Sequence, residues 1–240
     1  MSYFMGKYIL LAEVIFLFGC QDVIPSVKVS NRDDYHWRQA MANGIIVNKG
    51  YEHCRKFVEG WLAKADPLTG LIPRNLTDGK DIWNAKDAAA DNYPFMVLTV
   101  ALTDSLLFKT TLSDMLKTEI ELTSRVGNLP DTYNFVKRGF DNDEVVMEDI
   151  IFGSSEYIKD GLLPLTEWLG RSAWSERMLK ILDDIWANAL MPTEYGNIPS
   201  DNVEVNGEML QVLARIYYMT GDEKYLEWAL RLGSPLALAR

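Results

Sequence analysis

Imidazole and thiol groups are scarce: the 240 residues contain two histidines, His36 and His53, and two cysteines, Cys20 and Cys54. No Cys/His cluster has zinc spacing, so a metal site of that kind is not expected, whereas a calcium site built of carboxylates stays open. Two cysteines could make one bridge, but Cys20 sits where a lipid anchor would attach, so a disulfide framework is not indicated. Positive charge is also short, with 24 basic residues against 34 acidic and a net charge of −10. A phosphate backbone would be repelled, no basic cluster escapes the balance, and no nucleic-acid partner is expected. No apolar run is long enough to span a bilayer. Gly-x-Ser-x-Gly and phosphate-cradling glycine loops are absent, which removes a serine nucleophile elbow and a nucleotide site from consideration. No cofactor is expected.

The chain is rich in aromatics, with seven Trp, eleven Tyr and nine Phe. Aromatic faces are what proteins commonly offer to the apolar faces of sugars. The first twenty residues read as an address: one positive charge, Lys7, then an apolar run from Tyr8 that ends in Leu17-Phe18-Gly19-Cys20. This is the layout of a secretory signal over residues 1–19. Its tail resembles a bacterial lipobox, in which Cys20 carries the lipid, although Glu13 and Phe18 depart from that pattern. The alternatives are an ordinary signal with an incidental cysteine, or a buried first helix. Export to the periplasm, or lipid anchoring at the outer membrane, is the expectation.

Beyond residue 27 the hydrophobic spacing predicts helices over roughly 33–64, 85–105, 110–125, 143–160, 162–169, 173–190, 204–220 and 222–232. The first is expected to break near Gly44 or Gly50. The interior of the second, Phe95 to Leu102, is apolar nearly all round and belongs inside the protein. Period-two alternation never persists, so the fold class is all-α. At Met219–Tyr225, Gly221 ends one helix, Asp222 caps the next and Tyr225 packs between them, forming an antiparallel hairpin.

Four segments make the reading more specific: DPLTGLIPR (66–74), WNAKDAAADNYPF (83–95), NVEVNGEML (202–210) and TGDEKYLEWA (220–229). Together they resemble the bacterial six-hairpin glycosidase-like proteins over about residues 50–233. The resemblance implies an (α/α)6 toroid with a sugar cleft formed by loops at one end of the inner helices. Twelve helices need about 350 residues, so residues 27–240 are expected to form part of such a toroid, a truncated member of the family.

Glycosidic cleavage typically needs two carboxyl groups across the scissile bond. Asp87 and Asp91 lie one turn apart and share a helix face, with Trp83, Asn84 and Tyr93 beside them to meet a sugar ring. Either acid is a catalyst, or both simply favour the positive helix end. Two acids on one helix do not flank a sugar, so Glu208 or a residue outside the chain would be the second catalyst. Asp201 and Glu204 fit a capping box, next to Asn202 as a substrate contact. The 130–135 loop offers Asp131, Tyr133 and Asn134 to sugar hydroxyls, or is a structural turn. Arg74 would meet the carboxylate of a uronide, or pair with a neighbouring Asp. The acidic stretch Glu144, Glu148, Asp149 and Glu156 reads as a solvated face. The expected function is hydrolysis of a poly- or oligosaccharide, a uronide among the options, by carboxylate acid–base chemistry. The rivals are a polysaccharide lyase with a tyrosine or histidine base, and a non-catalytic carbohydrate-binding or scaffold domain.

Overall fold

A computed structural model describes residues 31–238, with side chains for 32–233; the signal segment 1–19 and Cys20 lie outside the described residues. The chain divides into two units, Met1–Ile46 and Val47–Arg240. Helix α1 (Asn31–Leu62) begins in the first unit with Asp33 and Asp34 in its first turn, where the helix dipole favours acids. It runs unbroken through Gly44 and Gly50, against expectation. A single helical glycine costs only about 1 kcal/mol, too little to end a helix of 32 residues.

The second unit is predominantly helical and contains several antiparallel helical hairpins. A π-helical turn, π1 (Ala85–Ala89), leads into α2 (Ala90–Thr103). Then come α3 (Ser105–Leu107), π2 (Phe108–Leu112) and α4 (Ser113–Thr123). Helix α5 (Met147–Glu156) passes through π3 (Tyr157–Leu162) into α6 (Leu163–Leu169). Helices α7 (Ala173–Ala187), α8 (Val203–Thr220) and α9 (Glu223–Leu238) complete the chain. Between α8 and α9, Gly221 takes φ 68°, Asp222 accepts from the Lys224 N–H and Tyr225 is buried, as the hairpin reading required. Among the described residues no helix is long and apolar enough to cross a membrane.

Two features depart from an all-α chain. The end of the helix expected over 110–125 and the chain after it form short strands: β2 (Ser124–Val126) pairs with β3 (Leu129–Pro130), and β4 (Tyr133–Asn134) with β5 (Gly139–Phe140). Strand β1 (Ile82–Trp83) adds to β4 in the register Ile82↔Asn134 and Trp83↔Tyr133. Strands of two or three residues are too short to show alternation. Helix α5 also starts at Met147 and not near 143, because Asn142 and its neighbours form bends.

The core centres on α2, where Tyr93, Met96, Val97 and Val100 are buried, although Phe95 and Leu102 at its margins are exposed. Tyr93 meets Trp174 edge-on at 5.8 Å and Tyr157 at 6.1 Å, and Tyr157 meets Trp83 at 6.4 Å. Gly161 lets π3 approach α2: a Cβ there would lie 2.7 Å from the Tyr157 ring and 3.3 Å from the Ala90 Cα. Beside this aromatic group lies an ion pair with both side chains fully buried. Arg177 on α7 donates through Nη2 to Glu119 Oε1 on α4 at 2.6 Å and through Nε to Oε2 at 3.1 Å. Its Nη1 donates to the Asn128 carbonyl at 2.7 Å. The second Glu119 bond partner is the Thr123 hydroxyl, at 3.0 Å.

Removing one member of such a pair strands a buried charge. Glu119→Leu is expected to cost about 3–5 kcal/mol in urea unfolding. The double variant Glu119→Leu/Arg177→Met should recover much of that loss, because no uncompensated charge remains.

Candidate functional site

Asn84 opens the site. It caps π1 in an extended conformation, its Oδ1 accepting from the N–H groups of Asp87 (3.2 Å) and Ala88 (3.0 Å). Its amide donates to Asp87 Oδ2 at 2.6 Å, and Arg74 Nε lies 2.8 Å from the same oxygen. Arg74 is therefore paired with a neighbouring Asp, the second of the two roles open to it. Asp87 is fixed from two sides.

The β1–β4–β5 ribbon carries the 130–142 segment to the same place. Arg125 holds that segment in shape: it reaches Asp131 at 2.8 Å, donates to the Asn142 and Asp143 carbonyls at 2.7 and 2.6 Å, and covers the Phe140 ring at 4.6 Å. The result is a polar cleft of about 250 Å³. Asn84 and Lys86 line one part, Asp131, Thr132 and Asp141 another, and Glu144, Asp149 and Phe152 a third. Lys86 Nζ sits 5.3 Å from the Phe152 ring centre.

Along α5, Asp149, Phe152 and Glu156 follow the i, i+3, i+7 spacing of one helix face. That face links the cleft to a second group of acids. Glu156, Glu204 and Glu208 each place a carboxylate oxygen within 4.8 Å of the others. Glu208 is only 5% exposed; its Oε1 lies 3.2 Å from Lys159 Nζ, and its Oε2 is buried without a nitrogen or hydroxyl donor. Lys159 also pairs with Asp160 at 3.0 Å. Burial first, then a hydrogen bond and charge from Glu208, push the Glu156 carboxyl up to about 8. Asp91 is raised as well, by burial and then by Asp87 and Asp160. Asp160 thus acts electrostatically on both Asp91 and Glu156.

The sequence candidates separate in this geometry. Asn84 and Asp131 line the cleft, and Arg74 and Asp87 stand directly behind Asn84. Trp83 and Tyr93, expected to meet a sugar, are 0% exposed, and Trp83 Nε1 donates to the Tyr93 hydroxyl at 3.0 Å inside the core. Neither ring presents a face to solvent. Tyr133 is 5% exposed and packs on Phe135. Asn134 holds the hairpin, accepting from the Val136 and Lys137 N–H groups and donating to Asp141. Asn202, not Asp201, caps α8, its Oδ1 accepting from the Glu204 and Val205 N–H groups. Glu208 lies in the second acidic group and does not line the cleft. Conversely, Glu144, Asp149 and Glu156, read as a solvated face, belong to the cleft and the acidic group. The spacing of Asp149, Phe152 and Glu156 on one face was the signal for the last two.

A scan of protein-family models, a search of curated proteins and a search of solved structures each find no match to this chain.

A carboxyl whose proton affinity is raised by folding stabilises the fold below its unfolded value, near pH 4, and that contribution is lost as pH rises through the folded value. Asp91→Asn is therefore expected to be more stable than the wild type at pH 7. The difference should vanish below about pH 4, as measured by thermal unfolding across pH.

Proposed function

We propose that this chain is a glycoside hydrolase-like protein of the (α/α)6 toroid type, acting outside the cytoplasm on a poly- or oligosaccharide by carboxylate acid–base chemistry. The observation that carries this reading is the cleft of about 250 Å³ walled by Asn84, Asp131 and Asp149 and backed by Asp87. Its volume is below the roughly 300–1,000 Å³ of ordinary small-molecule pockets, which suits one sugar unit of a longer chain. Side chains able to accept from or donate to hydroxyls line it, and Phe152 supplies an apolar patch. Its acids come from separate elements, Asp131 and Asp141 from the ribbon and Asp149 from α5, the arrangement that a pair of carboxyls acting on one bond requires. Asp141 on the ribbon and Asp149 on α5 are the proposed pair; Asp91, a candidate from the sequence, does not line this cleft. Export is proposed from the pattern of residues 1–20.

A neutral sugar is favoured over a uronide, because Arg74 is already paired with Asp87 and four acids face the single cation Lys86 in the cleft lining. A lyase would use a tyrosine or histidine base, and Tyr93 and Tyr133 are its tyrosine candidates. Tyr93 and Tyr133 are buried, and burial pushes the Tyr93 hydroxyl far up, away from ionisation.

The test is reducing-end release from a panel of neutral and acidic polysaccharides. Asp141→Asn and Asp149→Asn are each expected to lower kcat by about 10²–10⁴-fold. An ultraviolet-absorbing unsaturated product would indicate a lyase. Saccharide binding that persists without turnover, and survives both substitutions, would indicate a binding module.

A further inference from the structure

We propose that Glu156, Glu204 and Glu208 form a binding site for a divalent cation of calcium size. The three carboxylates come from two helices, the end of α5 and the first two turns of α8, so the packing of α5 on α8 builds the group. Their oxygens lie within 4.8 Å of one another. Any two ligands of one calcium ion, each at about 2.3–2.6 Å, stand no more than about 5 Å apart, a limit the three carboxylates meet.

A second observation is independent of that proximity. Glu208 is more than nine-tenths buried, Oε1 is taken by Lys159, and Oε2 has no nitrogen or hydroxyl donor; the one other group that hydrogen-bonds this carboxylate is the Glu156 carboxyl, when that holds a proton. A buried carboxylate oxygen without such a donor is costly, and a cation among the three carboxylates would take the place of that proton. Local charge points the same way. Lys159 is shared between Glu208 and Asp160, leaving one ammonium against four carboxylates. Glu204 is exposed at the edge of the group, which gives an ion a way in and leaves room for water to complete its coordination.

The proposal does not depend on the cleft being hydrolytic, and its test reads metal, not turnover. The full chain, stripped with a chelator, is titrated with Ca2+ by calorimetry, and its thermal unfolding is followed with and without the ion. One site is expected, with a rise in Tm on binding. Glu204→Gln, at an exposed position, is expected to weaken Ca2+ at least tenfold, and Glu208→Gln to weaken it further. Lys159→Gln, which removes the competing positive charge, is expected to tighten it. Should Glu208→Gln fail to fold, the opposite shifts in Glu204→Gln and Lys159→Gln still decide the matter. Absence of Ca2+ binding at millimolar concentration, or binding that neither Glu204→Gln nor Lys159→Gln alters, would overturn the site.

Discussion

The bidentate pair between Arg177 and Glu119 is the interaction on which the rest of the second unit depends. It joins α7 to α4 with neither side chain reaching water, and the third guanidinium bond fixes the Asn128 carbonyl. Asp184, further along α7, holds Asn128 through both its backbone N–H and its side-chain amide. One helix thereby sets the position of the turn between β2 and β3. From that turn the chain runs directly into the ribbon that lines the cleft. A pair buried this deeply adds little net stability over a well-packed apolar substitute. Its value lies in the geometry it imposes on a segment whose strands are too short to hold themselves.

The cleft shows how a helical scaffold acquires a polar surface. Asn84 caps a helical element and at the same time anchors Asp87, while Arg125 binds one acid and two carbonyls of the facing segment. Asn84, Asp131 and Asp141 on the rim are thus bound by partners that also define the backbone, so this part of the lining is preorganised. The second acidic group differs. Its charges outnumber their partners, and burial first, then the neighbouring carboxylates, make Glu156, and Asp91 nearby, hold protons more tightly. Like charges crowded together at a cost to the fold are more characteristic of function than of packing.

Long, strongly periodic helices were legible in the sequence: α2, α4, α8 and α9 start within a few residues of their expected positions. The Gly221–Tyr225 joint was legible because its turn chemistry is local. The ribbon was not, since each of its strands is fixed by contacts across the chain and not by its own pattern. The site was half visible. Asn84, Asp131, Arg74 and Asp87 carry polar chemistry in segments rich in turn residues, and they do converge. Trp83 and Tyr93 misled because an aromatic beside a polar motif looks the same in sequence whether it faces a ligand or a core; a hydrogen bond between the two lets both be buried. Asn202 misled for a simpler reason, that a capping side chain and a sugar contact use the same amide. Glu156 was passed over because its partners lie about fifty residues away on α8.

The central claim is that the cleft between the start of π1, the ribbon and α5 receives a saccharide. Amide hydrogen exchange on the full chain, with and without a mixture of neutral oligosaccharides, addresses it without assuming any activity. The account predicts slowed exchange confined to residues 84–88, 130–134 and 141–153. Protection elsewhere, for instance around the stacked Trp186 and Trp228 on α7 and α9, with none in the cleft, would contradict it.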